Sequence, residues 1–399
     1  MIVAALTCAT SAALRGTPHR EAGGVMRRWV RFLRRHPDYY RTLYATYEQQ
    51  PAGRLAQIHL EPTNGCNIRC VTCHSHVAAL PKRLMPLELA RRVIDEAWQE
   101  MGARGKLGLF IRGESVLHPE LPEMVRHARA RGFVHILLST NLVLLTDSRA
   151  RALLESGMSE MRLSIDAVDA ETFEATRAGA DFNRIVANLD TLARVRAELG
   201  SACRFRLHAS LHRRSFERVP QFVRRWSRIV QQFRFTVAVN QGGLFSQDVA
   251  QSFSGLRFAT STAYQVPCRI LYDYVGVTWD GKLTSCCVDY REQFVTGRFE
   301  DGLRAGFDSA AARELRERHR RGDFGELCGR CGFNNALVDW FEDEINDYVA
   351  DHFDELHVPA RDARFHRALE AMIAKFDALA ARPPARRTVF GAPEATCGS

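Results

Sequence analysis

A chain of 399 residues exceeds one average domain, and 46% hydrophobic with 25% charged residues is the composition of a globular protein with a sizeable core. No apolar run is long enough to span a bilayer, so no membrane association is expected, and the N-terminal MIVAALTCATSAAL lacks the basic lead of a signal peptide. The net charge of +9 comes from arginines spread among acids, clustered only at Arg27, Arg28, Arg31, Arg34 and Arg35, which suits a solvated face or attraction of anionic substrates and reductants rather than nucleic acid.

Residues 1–55 read as a tail and then a basic, aromatic helical lead-in (Val25 to Glu48), closed by Gln50-Pro51-Ala52-Gly53. Strand patterns follow at Gln57 to Leu60, Leu107 to Ile111, Val134 to Leu138, Met161 to Ile165, Phe205 to Leu211 and Phe233 to Val239. Amphipathic helices are expected between them, near 86–102, 120–131, 148–157, 183–198 and 215–229. Six strands with a helix between each pair predict an α/β domain over 56–240, a partial (β/α)6 TIM-like barrel. Chemistry in such sheets gathers at the carboxyl ends of strands, where Cys66, Glu114, Asn141 and Asp166 fall. Gln241 to Gly255 looks like a linker or lid, opening a small cysteine-held domain over 241–335. A helix from about Arg361 to Ala381 and a disordered Pro/Arg-rich tail complete residues 336–399.

Eleven cysteines, seven of them in spacings that suit metals better than disulfides, point to a reducing cytoplasm. Cys66, Cys70 and Cys73 form C-x3-C-x2-C on one loop after the first strand. Three thiolates so placed can hold an iron-sulfur cluster with one iron left open. A zinc site is the alternative, with His74 or His76 as the fourth ligand. Cys268, Cys286, Cys287, Cys328 and Cys331 form a second set able to close an all-thiolate site for either metal.

Together these segments resemble the radical S-adenosylmethionine (SAM) superfamily, from about Ile58 through Cys331. The resemblance implies that the open iron of a [4Fe-4S] cluster on Cys66, Cys70 and Cys73 chelates SAM, and that the cleaved cofactor yields a 5'-deoxyadenosyl radical. Ile111-Arg112-Gly113-Glu114-Ser115 looks like the family's GGEP segment, with Arg112 and Ser115 replacing Gly and Pro, so Gly113 and Glu114 are carried over as contacts to the SAM amino group. Ser139-Thr140-Asn141 resembles the STNG strand end, with Leu142 in place of Gly. Ser164-Ile165-Asp166 with Arg177 resembles SIDG…R, whose Ser and Arg approach the SAM ribose and carboxylate. Asn141, Ser164, Asp166 and Arg177 are therefore expected cofactor contacts. Thr72 stands where the family commonly packs an aromatic or Met on adenine.

The second set resembles the Twitch form of the SPASM extension, in Pro267-Cys268, Asp280-Gly281, Cys286 and Cys328-Gly329-Arg330-Cys331. It implies one auxiliary [4Fe-4S] cluster on Cys268, Cys286, Cys328 and Cys331. If the adjacent pair lies on a strand, Cys287 faces away, either as a small buried residue or as a hydrogen-atom donor to a substrate radical.

A four-ligand auxiliary cluster has no iron free for substrate and would conduct electrons, which favours two-electron oxidation of a sugar- or aminocyclitol-like metabolite. Peptide maturation, epimerisation through Cys287, and a zinc-binding structural protein are the alternatives. A flavodoxin- or ferredoxin-type reductant is the expected partner. His208 and Asn240, on late strands, are candidate substrate contacts.

Overall fold

The computed structural model describes residues 55–74 and 81–381. The expected lead-in helix, the C-terminal tail, His76, Cys8 and Cys397 lie outside the described residues. All six expected strands form: β1 (Gln57–Leu60), then, after a two-residue β2 (Arg69–Cys70), β3 (Lys106–Leu109), β4 (His135–Thr140) and β5 (Glu160–Ser164). A short β6 (Arg177–Ala178) precedes β7 (Arg204–Leu211) and β8 (Gln232–Val237). The six pair in parallel in the order β1-β3-β4-β5-β7-β8, with helices Leu87–Met101, Leu121–Arg131, Asp147–Glu155, Phe182–Glu198 and Val219–Trp226 as crossovers. This is the α/β partial barrel that the alternation of patterns implies.

Strand periodicity explains the layering. Ile58, Leu60, Leu107, Leu109, Leu163, Leu207 and Leu211 are fully buried in one apolar core, while the alternate residues of β7, among them Arg206, His208 and Ser210, are only half-buried and face the concave side. His59 fits that side because Gly108, paired beside it, has no Cβ: one would lie 2.4 Å from the imidazole ring.

The cysteine-rich segment does not build a sheet of its own. Strand β9 (Tyr274–Val277) pairs in parallel with β1, and β10 (Lys282–Thr284) and β11 (Val295–Arg298) continue antiparallel, giving one nine-stranded sheet. The second cysteine set is thereby fixed to the first strand of the barrel. Gln241 to Gly255 is folded too, as a 3-10 turn at Gln241–Gly243 and a helix at Gln247–Ser254, capped by Ser246.

The outer edge of β8 is covered by helix Ala336–Asp351, which the sequence reading lacked. Asn346 accepts from the Phe235 N–H (2.9 Å) and donates to its C=O (2.7 Å), as a neighbouring strand would, and Glu342 accepts from the Val237 N–H (2.9 Å). A bare edge invites pairing with another chain, and side chains of this helix block it. Asn346→Ala should therefore cost about 1–3 kcal/mol by orphaning the Phe235 amide and increase aggregation, as read by thermal melts and light scattering. An unchanged melt would show that the amide is satisfied otherwise.

Candidate metal and cofactor site

The loop after β1 carries Cys66, Cys70 and Cys73, all half-buried. Its course depends on Gly113, whose φ is +73° and whose absent Cβ would lie 2.4 Å from the Gly65 carbonyl oxygen. The Glu114 N–H donates to that same carbonyl (2.8 Å), so the second expected segment holds the first. Short strand β2 pairs with β6 and puts Arg177 opposite Cys70. The Arg177 guanidinium reaches the Cys70 sulfur at 3.8 Å, Asn141 Nδ2 reaches that of Cys66 at 3.9 Å, and the Tyr290 hydroxyl meets that of Cys73 at 3.5 Å. Burial pushes the Cys70 thiol up to about 12, and Arg177 counters it. Thiolates in such a setting call for compensating positive charge, which irons and Arg177 together would supply.

The expected SAM contacts gather around this loop. Both Glu114 oxygens accept backbone N–H groups, Oε1 from Val116 (3.2 Å) and Oε2 from Asn141 (2.7 Å), which pins the carboxylate at the ends of β3 and β4. The Thr140 hydroxyl donates to the same carboxylate, so of its roughly four lone-pair sites about one remains for an ammonium hydrogen. Asp166 accepts from Arg177 Nε (2.7 Å) and the Ser210 N–H (2.8 Å), so it orients Arg177 rather than presenting a free carboxylate. Ser164 is half-buried at the end of β5, in register with His208. Leu142, where the resembled motif has Gly, keeps a left-handed φ of +68° while fully buried. The position still demands that conformation, which costs an L-residue about 1–2 kcal/mol, and burial of the leucine side chain offsets it.

The two candidate substrate residues differ. His208 faces the concave side, with Nε2 3.4 Å from the Thr236 hydroxyl, and burial lowers its pKa to about 4, leaving a neutral imidazole. Asn240 is engaged locally: its amide donates to the Phe245 carbonyl (2.9 Å) and accepts from the Phe245 N–H (3.1 Å), closing the turn after β8. A late polar residue next to a Gly-Gly turn readily satisfies the backbone there.

In the second set, Cys268, Cys286, Cys328 and Cys331 line one cavity of about 470 Å³, counting its mouth. Cys286 and Cys287 lie in a turn after β10, not on a strand. The alternation argument fails there; Cys286 lines the cavity and Cys287 does not. The Gly242 N–H donates to the Cys331 sulfur at 3.3 Å. Gly243, with φ +66°, comes so close to the Leu327 carbonyl that a Cβ would overlap it at 1.8 Å. That Gly-Gly pair is the piece of the presumed linker that builds the site. Among the described residues, no three His, Cys, Asp or Glu side chains converge as a single metal ion would require. Ligands of a lone zinc, at Zn–S distances of about 2.3 Å, would crowd together, whereas those of a four-iron cluster stand farther apart. The four thiols, the cavity among them and the N–H aimed at Cys331 fit a cluster.

Two features escaped the sequence reading. Arg112, buried at the end of β3, pairs bidentately with Glu61 (2.6 and 2.8 Å) and reaches Glu292 at 3.3 Å. Glu292 itself has a left-handed φ of +55° and binds Lys282 at 2.6 Å. Arg112 thus ties the barrel to the loop that carries Cys286 and Tyr290, and Tyr290 in turn touches Cys73. The available signal was the charged residue replacing Gly in the GGEP-like segment.

A sequence profile of the radical SAM superfamily matches residues 60–199, and one for the iron-sulfur cluster-binding SPASM domain matches residues 268–332. A GTP 3',8-cyclase of Chlorobaculum tepidum is 33% identical over 136 residues, 34% of this chain and 40% of that protein. A PqqA peptide cyclase of Streptomyces rochei is 30% identical over 181 residues, 43% of this chain and 44% of that one. The chain spans less than half the length of these curated relatives. Among solved structures, Streptococcus suis SuiB bound to its precursor peptide SuiA superimposes with a TM-score of 0.53 at 15% identity, covering 73% of this chain and 74% of that one. The enzyme anSMEcpe with bound AdoMet gives 0.52 at 15% identity, covering 79% and 98%. At that identity the likeness is one of fold.

Proposed function

The chain belongs to the radical SAM superfamily and carries a SPASM-type iron-sulfur domain, and from that premise we propose that it catalyses a two-electron oxidation, a dehydrogenation, of a small polar sugar- or aminocyclitol-like molecule. One observation carries this reading: Cys268, Cys286, Cys328 and Cys331 all face one cavity. Four protein thiolates leave a cluster there no vacant iron for substrate, only a route for electrons. When bound, the first cluster supplies the electron that cleaves SAM and the second accepts the electron that a substrate radical gives up.

The chain's own residues then have distinct tasks. Arg177, held by Asp166, is placed to clamp the SAM carboxylate beside Cys70, and Glu114 to take the ammonium group. Asn141 and Ser164 stand at neighbouring strand ends, within the same ring of groups. Polar side chains on the concave side of β5, β7 and β8, namely Arg162, His208, Ser210 and Thr236, favour a hydroxylated substrate over an apolar one. Neutral His208 is able to exchange a hydrogen bond with a substrate hydroxyl, while its lowered pKa makes it a weak proton acceptor.

No helix among the described residues is long and apolar enough to cross a membrane. A flavodoxin or ferredoxin is the proposed electron donor, the cytoplasm the proposed compartment. The test is anaerobic incubation with SAM, reductant and a panel of amino sugars and aminocyclitols, followed by mass spectrometry. A product two hydrogens lighter, formed with 5'-deoxyadenosine, supports dehydrogenation. Solvent deuterium in an otherwise unchanged skeleton would show epimerisation, with Cys287 as donor, and turnover only on a peptide would show a maturase.

A further inference from the structure

One buried group faces the second cavity with a hydrogen still to place. His319, on helix Ala310–Arg320, is 1% exposed and lines the cavity beside the four thiols. Its Nδ1 lies 3.1 Å from the backbone nitrogen of Cys268. A backbone N–H only donates, so Nδ1 accepts and the ring hydrogen of the neutral imidazole sits on Nε2. Phe324 meets it edge-on at 5.1 Å and fixes its plane. Nε2, also buried, has no hydrogen-bond partner. A buried donor left unmet is destabilising, and a bound acceptor ordinarily removes that penalty.

We propose that His319 is a positioning and tuning residue of the auxiliary site, its Nε2–H donating to a sulfur of the cluster held by Cys268, Cys286, Cys328 and Cys331. One ring would do two things, fixing the Cys268 backbone through Nδ1 and polarising the cluster through Nε2. A hydrogen bond to sulfur stabilises the more negative, reduced state, so it raises the reduction potential and makes the site a better electron acceptor. That is the direction required if the site removes an electron from a substrate radical.

This inference rests on the auxiliary site holding a cluster, and the two fail separately. Wild-type protein reconstituted with about eight irons per chain keeps the cluster reading; about four would end it whatever His319 does. The decisive measurement is an EPR-monitored redox titration of the auxiliary signal in the holoenzyme. His319→Leu should lower its midpoint potential at full iron content, while His319→Gln, whose amide can both accept from Cys268 and donate, should recover most of the shift. Equal potentials in His319→Leu and wild type would overturn the proposal. If the leucine variant loads poorly, wild-type and His319→Gln holoenzymes labelled with 15N-histidine decide together. Pulsed EPR of the reduced auxiliary cluster should show a weakly coupled histidine nitrogen that is lost in His319→Gln. No coupling, or the strong coupling of a direct nitrogen ligand, would refute hydrogen-bond donation.

Discussion

Replacing Cys66, Cys70 and Cys73 together by alanine should abolish formation of 5'-deoxyadenosine and lower reconstituted iron from about eight to about four per chain. The loss is expected to be complete because the three thiols are not interchangeable with nearby groups. Arg177 and Asn141, which approach Cys70 and Cys66, donate hydrogens and have no acceptor pair to offer iron in that role. The remaining irons should stay, since the second set has its own cavity and its own backbone donor at Gly242. Iron analysis and chromatography of the cleavage products read both outcomes on one sample. A triple variant that still cleaves SAM would remove this loop from the chemistry. A variant that loses all iron would show that the auxiliary site cannot assemble alone.

The sequence reading reached the strands and the cysteines for different physical reasons. Ile58, Leu107, Leu163 and Leu207 announce strands because burial against crossover helices forces apolar runs of fixed length. The three-cysteine loop is legible because ligands of one cluster must lie close in sequence or be gathered by a sheet, and this set is local. Tyr290 on Cys73 and Arg112 on Glu292 are contacts between segments about 180 to 220 residues apart. Nothing in local periodicity marks them. Helix Ala336–Asp351 is buried at Leu337, Val338, Trp340, Phe341 and Glu342 in near succession, so it shows no clean amphipathic stripe. Asn240 closes a backbone turn, a use that a polar side chain at a strand end serves as readily on paper as contact with a ligand. The Cys286-Cys287 pair lies in a turn where the strand alternation does not apply; Cys286 lines the cavity, and the Cys287 thiol lies near enough to Cys331 and Cys268 to interact with them.

Arg112→Ala should be the most damaging single change outside the cysteines. Arg112 and Glu61 are 3% and 0% exposed, and removal of the guanidinium leaves a carboxylate with backbone N–H partners alone, those of Trp279, at 3.3 Å, and of residue 112. Breaking a buried pair from one side costs about 3–5 kcal/mol, equivalent to a fall of roughly 4–6 °C in the melting midpoint for a chain of this length at a fixed scan rate. The pair itself need not be strongly stabilising, because desolvation offsets most of its attraction. Glu61→Leu combined with Arg112→Met should therefore melt higher than Arg112→Ala alone. The two variants separate stability from positioning. The double variant restores a buried pair without the link to Glu292, so the loop bearing Cys286 and Tyr290 loses its tie to the barrel. Its melt should recover while 5'-deoxyadenosine forms in excess over oxidised product, since the auxiliary site is no longer held at the distance that Arg112 sets. Recovery of both stability and tight coupling in the double variant would show that the β9–β1 pairing alone positions the two sites.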